Sequence, residues 1–356
     1  MIKILHSSDW HLDSPLQQRG DQAAVLRKAQ QRIPGQLAAL CKEKACDLVL
    51  LSGDLFDGAY AADTCRNLKQ ALEQMEVPVF IAPGNHDYIG QDSPWLQESW
   101  PENVHIFTHP VIESVSLPEL DCRVYGAGFI SIDCPGLLEG FSAEQEERYA
   151  IGILHGDPAQ VSSPYCPVTN QQVQQSDLDY LALGHIHKGG SFTAGKTLCA
   201  WPGAPMGRGY DEAGEKGVLI VTLNDTVTTE FIPLDTPRFY DLDILAGEDA
   251  VAALNSVLSP VGNEDFYRVT LTGPSQALDL SRLQEAFSRF PNLVLRDRTT
   301  PPVDIWGTAG EDSFEGMYFS LLQKNLDTQD PQQQRITQLA AKISRQLLDG
   351  REVKLP

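Results

Sequence analysis

The 356-residue sequence predicts a layered α/β protein, read as a four-layer α/β/β/α sandwich followed by a small α/β domain and a C-terminal helical tail. Three observations carry that reading. Short apolar runs of strand length alternate with amphipathic stretches of helical spacing from the N-terminus. A Gly-rich series of short strand patterns then covers residues 191–232, and a second, smaller alternation of strand and helix patterns begins after residue 236. Pattern alone leaves other layered α/β folds open.

Residues 2–6, 48–51, 77–82, 151–155 and 180–183 are continuous apolar runs bounded by turn residues, the mark of buried strands. Between the first three, residues 23–44 and 64–75 carry apolar positions at helical spacing, giving the β and α order of a parallel sheet. The strands of residues 191–232, punctuated by Gly189, Gly190, Gly203, Gly207, Gly209, Gly214 and Gly217, read as a meander added to a sheet edge. The catalytic domain is thus placed at 1–235. Asp235-Thr236-Pro237 marks a boundary, and the strand, helix, strand, helix, strand pattern of residues 239–298 forms a small domain placed at 236–300. Residues 301–312, with Pro301-Pro302, read as a linker. Two amphipathic helices fill 313–356. Phe314, Met317, Tyr318, Leu321 and Leu322 make one apolar face; Ile336, Leu339, Ala340, Ile343 and Leu347 make the other, after Asp330 as N-cap and Pro331 at the first helical position.

A hydrophobic content of 42% is enough for a large core. No run approaches the roughly 18 apolar residues of a membrane span, and the N-terminus lacks a cleavable signal pattern, so a cytoplasmic protein is expected. The seven cysteines are scattered without a CxxC pair, which argues for packed, reduced thiols over a disulfide framework or zinc knuckle. The net charge of -21 argues against tight nucleic-acid binding by this chain alone, since that affinity rests on Lys and Arg. It leaves phosphate chemistry open, because bound divalent cations place positive charge where a phosphoryl group sits.

Five segments end apolar runs with metal-ligand residue types: Asp9-Trp10-His11, Gly53-Asp54, Gly84-Asn85-His86-Asp87, His155-Gly156-Asp157 and Gly184-His185-Ile186-His187. Side chains at the carboxyl ends of neighbouring strands converge on one crevice. Five of the eight histidines lie in these segments; His6, His105 and His109 read as structural or surface residues. Mixed carboxylate, amide and imidazole donors suit Mn, Fe or Zn better than Mg or Ca.

The order of these motifs resembles that of the calcineurin-like metallophosphoesterases over roughly residues 1–235. The resemblance implies two divalent metals, Mn first among them with Fe or Zn as alternatives. It implies that Asp9, His11, Asp54 and His187 hold one and Asp54, Asn85, His155 and His185 the other, with Asp54 as bridge. His86 matches the family's non-ligand histidine, which protonates the leaving alkoxide. Asp87 then orients His86 or caps the turn, while Asp13 and Asp57 shape loops and Trp10 packs.

The opening His6-Ser7-Ser8-Asp9-Trp10-His11-Leu12 and the stretch Trp201-Pro202-Gly203-Ala204-Pro205, Arg208, Asp211-Glu212 and Gly214-Glu215-Lys216-Gly217 are similar to SbcD-like DNA repair nucleases, with Ala204 where a Ser is usual. Gly53-Asp54-Leu55-Phe56-Asp57 lacks the Arg and Gly of the Ser/Thr protein phosphatases. By that resemblance the small domain caps the site, the terminal helices dock on an SbcC-like coiled-coil ATPase, DNA is the substrate and a homodimer is an option. Arg208 and Lys188 lead the candidates for substrate contact, followed by Arg19, Arg27, Lys28, Arg296 and Arg298. The alternative is a phosphodiesterase or phosphatase for nucleotides or another small phosphoester, which the acidic charge favours.

Overall fold

The computed structural model describes residues 1–16, 20, 22–259, 263–327 and 330–350. In chain order the elements are β1 (Ile2–Ser7), α1 (Gln22–Glu43), β2 (Leu48–Leu51), α2 (Ala62–Met75), β3 (Val79–Ile81), α3 (Pro94–Gln97), β4 (Val104–Ile106), β5 (Glu113–Leu117), β6 (Cys122–Gly126) and β7 (Tyr149–His155). There follow α4 (Asn170–Gln175), β8 (Tyr180–Gly184), β9 (Lys188–Ala194), β10 (Thr197–Gly203), β11 (Gly217–Leu223) and β12 (Val227–Pro233). The last group is β13 (Phe239–Leu245), α5 (Ala250–Val257), β14 (Phe266–Pro274), α6 (Leu280–Ala286), β15 (Leu293–Thr300), α7 (Phe314–Lys324) and α8 (Pro331–Leu348).

Two six-stranded sheets carry the fold, ordered β12-β11-β1-β2-β3-β4 and β5-β6-β7-β8-β10-β9, and β13-β14-β15 form a third. Successive strand side chains point to opposite faces, so a strand buried on both sides must be apolar throughout. Ile4, Leu48 and Leu50 of the first sheet meet Val124, Ile151, Ile153 and Ala182 of the second in one core cluster. The alternate residues Leu5, Val49 and Leu51 pack outward on Leu26, Ile33 and Leu37 of α1 and Leu68 and Leu72 of α2. On the far side, Leu154, Leu181 and Leu183 pack with Val173 of α4. These are the four layers α/β/β/α.

The strands of residues 191–232 do not form one meander on one edge. The β9–β10 hairpin joins the second sheet through β8, whereas the β11–β12 hairpin crosses over and joins the first through β1. Each hairpin has a buried inner strand and a more polar outer one, and those outer strands, β9 and β12, close one edge of each sheet. Alternation along the chain cannot say which sheet edge a hairpin finds.

His6 falls on the inter-sheet face of β1 and is fully buried. Its Nδ1 lies 2.7 Å from the Tyr180 hydroxyl, and its Nε2 lies 2.8 Å from Ser52 Oγ and 3.1 Å from the Leu183 carbonyl oxygen. Burial pushes its pKa down to about 3, so the ring is a neutral pin between the sheets. Trp10 packs as read, buried with its indole N–H donating to Ser7 Oγ at 2.8 Å.

The chain divides into two compact units. The first holds both six-stranded sheets and the beginnings of the third sheet's strands or their flanks; the second holds the remainder of those strands with α5, α6, α7 and α8. Within the second unit, α7 and α8 half-bury Tyr318, Leu322, Ala340 and Ile343 and leave the rest of each apolar stripe exposed. Phe319, Ala341 and Arg345 are inside, with the Arg345 guanidinium 4.3 Å from the Phe319 ring centroid and the Tyr318 hydroxyl 2.8 Å from Ser344 Oγ. Phe314, Met317 and Leu321 of the first predicted stripe and Ile336, Leu339 and Leu347 of the second are exposed. Helical spacing identifies an apolar face; it does not say whether that face finds a partner inside the same chain.

Candidate metal centre

The five segments sit where the reading put them, at strand ends in the first unit, and the backbone is bent to aim them. Asp9, His11, Asp54 and His185 all have positive φ (56°, 47°, 53° and 92°), a region side-chain-bearing residues adopt only when their surroundings hold them there. The loop after β1 is laced to the loop after β2, with Asp9 N–H donating to the Gly53 carbonyl and His11 N–H to the Asp54 carbonyl, both at 3.0 Å. Asp9, His11, Asp54, Asn85 and His155 are buried, His185 and His187 half-buried, and His86 exposed.

Three groups of potential ligands have donor atoms within 4.8 Å of one another: Asp9, His11 and His187; Asp9, Asp54 and His155; and His11, Asp54 and His86. Asp54 stands at the middle. Its Oδ2 is 3.4 Å from His155 Nε2 and 3.9 Å from His11 Nε2, while its Oδ1 accepts the His86 backbone N–H at 2.8 Å. Asp9 accepts the His185 N–H at 3.0 Å and the Ser8 hydroxyl at 2.5 Å. His185 belongs to none of these groups; its ring lies 5.2 Å from that of His155, and its Nε2 is 4.0 Å from Asp157 Oδ2.

Hydrogen bonds on the far side of each ring test whether these residues fit a cation. His155 Nδ1 is 3.0 Å from the Ser52 carbonyl oxygen, which requires the proton on Nδ1 and turns the Nε2 lone pair toward Asn85 Oδ1 at 3.0 Å and toward Asp54. His187 Nδ1 is 2.7 Å from Glu212 Oε1, which leaves its Nε2 facing His11 Nε2 at 3.1 Å. Lone pairs and a carboxylate thus converge with too few protons between them, the donor set a divalent cation satisfies. Burial alone lowers the His155 pKa, but Asp54 beside it prevails and pushes it up to about 10. Asp54 itself, which burial would raise, is held well below the usual carboxylate range by His155.

Three carboxylates do more than the sequence disclosed. Asp57 accepts from His86 Nδ1 at 2.7 Å, and His11 first, then His86, hold its carboxyl far below the usual carboxylate range. Asp57, then, orients His86. Asp87 caps the turn instead, accepting the Gly84 N–H at 2.7 Å, and it also accepts the N–H groups of Leu55 (2.8 Å), Asp54 (3.1 Å) and Phe56 (3.3 Å), so it fastens the two ligand loops together. Glu212 fixes His187 from 25 residues away, a reach no local spacing signals. Asp13 shapes a loop as expected, accepting from Ala61 N–H and Thr64 Oγ1.

Arg208 is tied into the same corner, its N–H donating to Glu212 Oε2 at 2.8 Å and its guanidinium 3.4 Å from Glu212 Oε1. Lys188 is exposed at the start of β9 and lines a cavity of about 410 Å³ with His187 and Trp201. Arg27 and Lys28 are exposed on α1, Arg296 and Arg298 on β15, and Arg19 lies outside the described residues.

Two facing sheets bring imidazoles and carboxylates together at their strand ends, a donor set of the kind that divalent metal ions take. The sequence model of the calcineurin-like phosphoesterases matches residues 2–189, and the chain belongs to that family. It is 31% identical over 246 residues to the uncharacterized metallophosphoesterase YhaO of Bacillus subtilis (strain 168). That stretch covers 65% of this chain and 60% of the relative, so the chain spans less than two thirds of the relative's length. Among solved structures, a dimetal phosphatase from Danio rerio is similar with a TM-score of 0.43 and 11% identity over 65% of this chain and 98% of that one. The protein TT1561 of Thermus thermophilus gives 0.39 and 15% over 65% and 98%. Among the described residues, no helix is long and apolar enough to cross a membrane.

Proposed function

We propose that the chain is a two-metal phosphodiesterase acting on DNA, a nuclease subunit of SbcD type in DNA repair that loads Mn and works beside a coiled-coil ATPase. The observation that carries the hydrolase reading is Asp54, whose Oδ2 faces His11 and His155 while its Oδ1 accepts the His86 backbone N–H. Asp9, His11, Asp54 and His187 suit one ion, and Asp54, Asn85, His155 and His185 the other. Bound there, two divalent ions supply neutralisation of phosphate oxygens and a water of lowered pKa.

The chain's own residues provide the rest. His86 is about half exposed at the open side of the cluster, and Asp57, 2.7 Å from its Nδ1, raises its pKa, which suits it to deliver a proton to the departing oxygen. Arg208, adjacent to His187, offers a guanidinium to a phosphate oxygen. An exposed acid at an open site suits a polymer strand better than a small molecule enclosed in a pocket. The unpartnered apolar faces of α7 and α8 suit docking on a helical partner, which would also supply the basic surface that a net charge of -21 lacks.

Mn-supplemented hydrolysis of end-labelled duplex and single-stranded DNA, run beside a nucleotide panel, tests the reading. DNA cleavage that Asn85→Ala reduces by about 10²-fold or more is expected. Nucleotide hydrolysis without DNA cleavage, even with an ATPase partner added, would leave a small-molecule phosphodiesterase in its place.

The acid role of His86 has its own pH signature. The Asp57 hydrogen bond raises its pKa above the ordinary value against the effect of burial. The acid works only while protonated, so activity is lost as pH rises through that pKa. Asp57→Asn removes the charge that raises it, and the alkaline limb of kcat/KM is expected to move to lower pH; a limb that stays in place excludes His86 as the acid.

A further inference from the structure

We propose that the cavity beside His86 is a subsite for the nucleobase on the leaving side of the scissile phosphate, with Tyr88 as its stacking platform; the inference rests on the phosphodiesterase reading above. The cavity measures about 280 Å³ and is walled by Gly58 and by residues of the loop that runs from His86 to Pro94. If His86 protonates the departing oxygen, whatever that oxygen carries must sit on the His86 side of the site, and this cavity is the space there.

Its lining selects among leaving groups. Tyr88 is 40% exposed and stands in no ring contact among the described residues. Gly90 lies against the ring: a Cβ at that position would touch Tyr88 Cε2 at 3.5 Å, so a larger side chain there would crowd the ring. Gln91 adds an amide to the wall, and the Ser93 hydroxyl is buried with no hydrogen-bond partner among the described residues. No lysine or arginine lines the space, whereas Asp92 does. A pyrophosphate or phosphorylated alcohol would meet Asp92 there and find no lysine or arginine beyond the His86 imidazole at the mouth. A neutral planar ring with hydrogen-bonding edges matches this lining, since stacking on an aromatic face is indifferent to which base is present. The substrate class is therefore a diester whose leaving group is a nucleoside, as in a nucleic-acid strand, and not a nucleoside polyphosphate.

The test uses the full chain loaded with Mn, dithymidine monophosphate, and its two analogues carrying abasic deoxyribose on one side or the other; the products identify the leaving side. For wild type, kcat/KM for the base-bearing substrate is expected to exceed that of the leaving-side abasic analogue by about tenfold, equivalent to about 1.4 kcal/mol. Tyr88→Ala and Gly90→Val should each bring that ratio close to 1, and Tyr88→Phe should preserve it. The same ratio in Tyr88→Ala as in wild type overturns the proposal. A second measurement needs no turnover: saturation-transfer NMR with thymidine should show contact at the thymine ring in wild type and lose it in Tyr88→Ala, and equal transfer in both overturns the subsite. Failure to hydrolyse either dinucleotide or bis(p-nitrophenyl) phosphate would count against the phosphodiesterase reading, and the thymidine comparison then decides the subsite alone.

Discussion

Asp54→Asn is expected to cut bound Mn from two ions per chain to one or none and to lower phosphodiester hydrolysis by at least about 10³-fold. The substitution is nearly isosteric, and asparagine tolerates the positive φ of 53° at this position, so the loop keeps its path. An amide oxygen can still accept the His86 N–H. What disappears is the negative charge that His155 and His11 face at 3.4 Å and 3.9 Å. In the metal-free protein, His155 loses the charge that raises its pKa and reverts toward a buried neutral ring. Metal content by mass spectrometry, hydrolysis rates and far-UV circular dichroism on one preparation separate the outcomes. Retention of two ions with activity within tenfold of wild type would remove Asp54 from the bridging position; loss of the native spectrum would show a folding effect instead.

Much of this was legible because ligand chemistry and strand position coincide in the sequence. Each apolar run that became β1, β2, β7 or β8 ends in a residue with a lone pair to offer, and the layered fold brings those ends together. The supporting residues were less legible. Nothing local distinguishes Asp57, which holds His86, from Asp87, which fastens backbone, although both follow a ligand within three residues. Glu212 reaches His187 only because the chain after β10 folds back across the site. The assignment of β11 to the first sheet was hidden for a related reason: hydrophobic periodicity records which face is apolar, and the identity of the surface opposite it is a tertiary fact.

Gly184→Ala should be the most damaging single methyl in the first unit. Gly184 ends β8 and pairs with His155 on β7, at the point where the second sheet approaches the loop after β2 in the first. A Cβ there would overlap the Ser52 carbonyl oxygen and lie 3.0 Å from both His155 Nδ1 and Ser8 Cβ. The Ser52 oxygen is backbone and cannot swing aside. It is also the acceptor that fixes the His155 tautomer, so any shift that relieves the overlap lengthens that hydrogen bond and turns the metal-facing nitrogen. Overpacking of this kind costs about 3 kcal/mol, a fall in Tm of roughly 6–12 °C for a unit of this size. Mn occupancy should fall as well, with activity reduced by more than about 10²-fold. Gly35→Ala serves as the comparison, because a Cβ on Gly35 in α1 meets nothing within 4 Å. There the expected change is neutral or stabilising by about 0.5–1 kcal/mol, through loss of backbone freedom in the unfolded chain. Equal melting temperatures and equal Mn content for the two variants would mean that the close approach of the sheets at Gly184 does not set the geometry of His155.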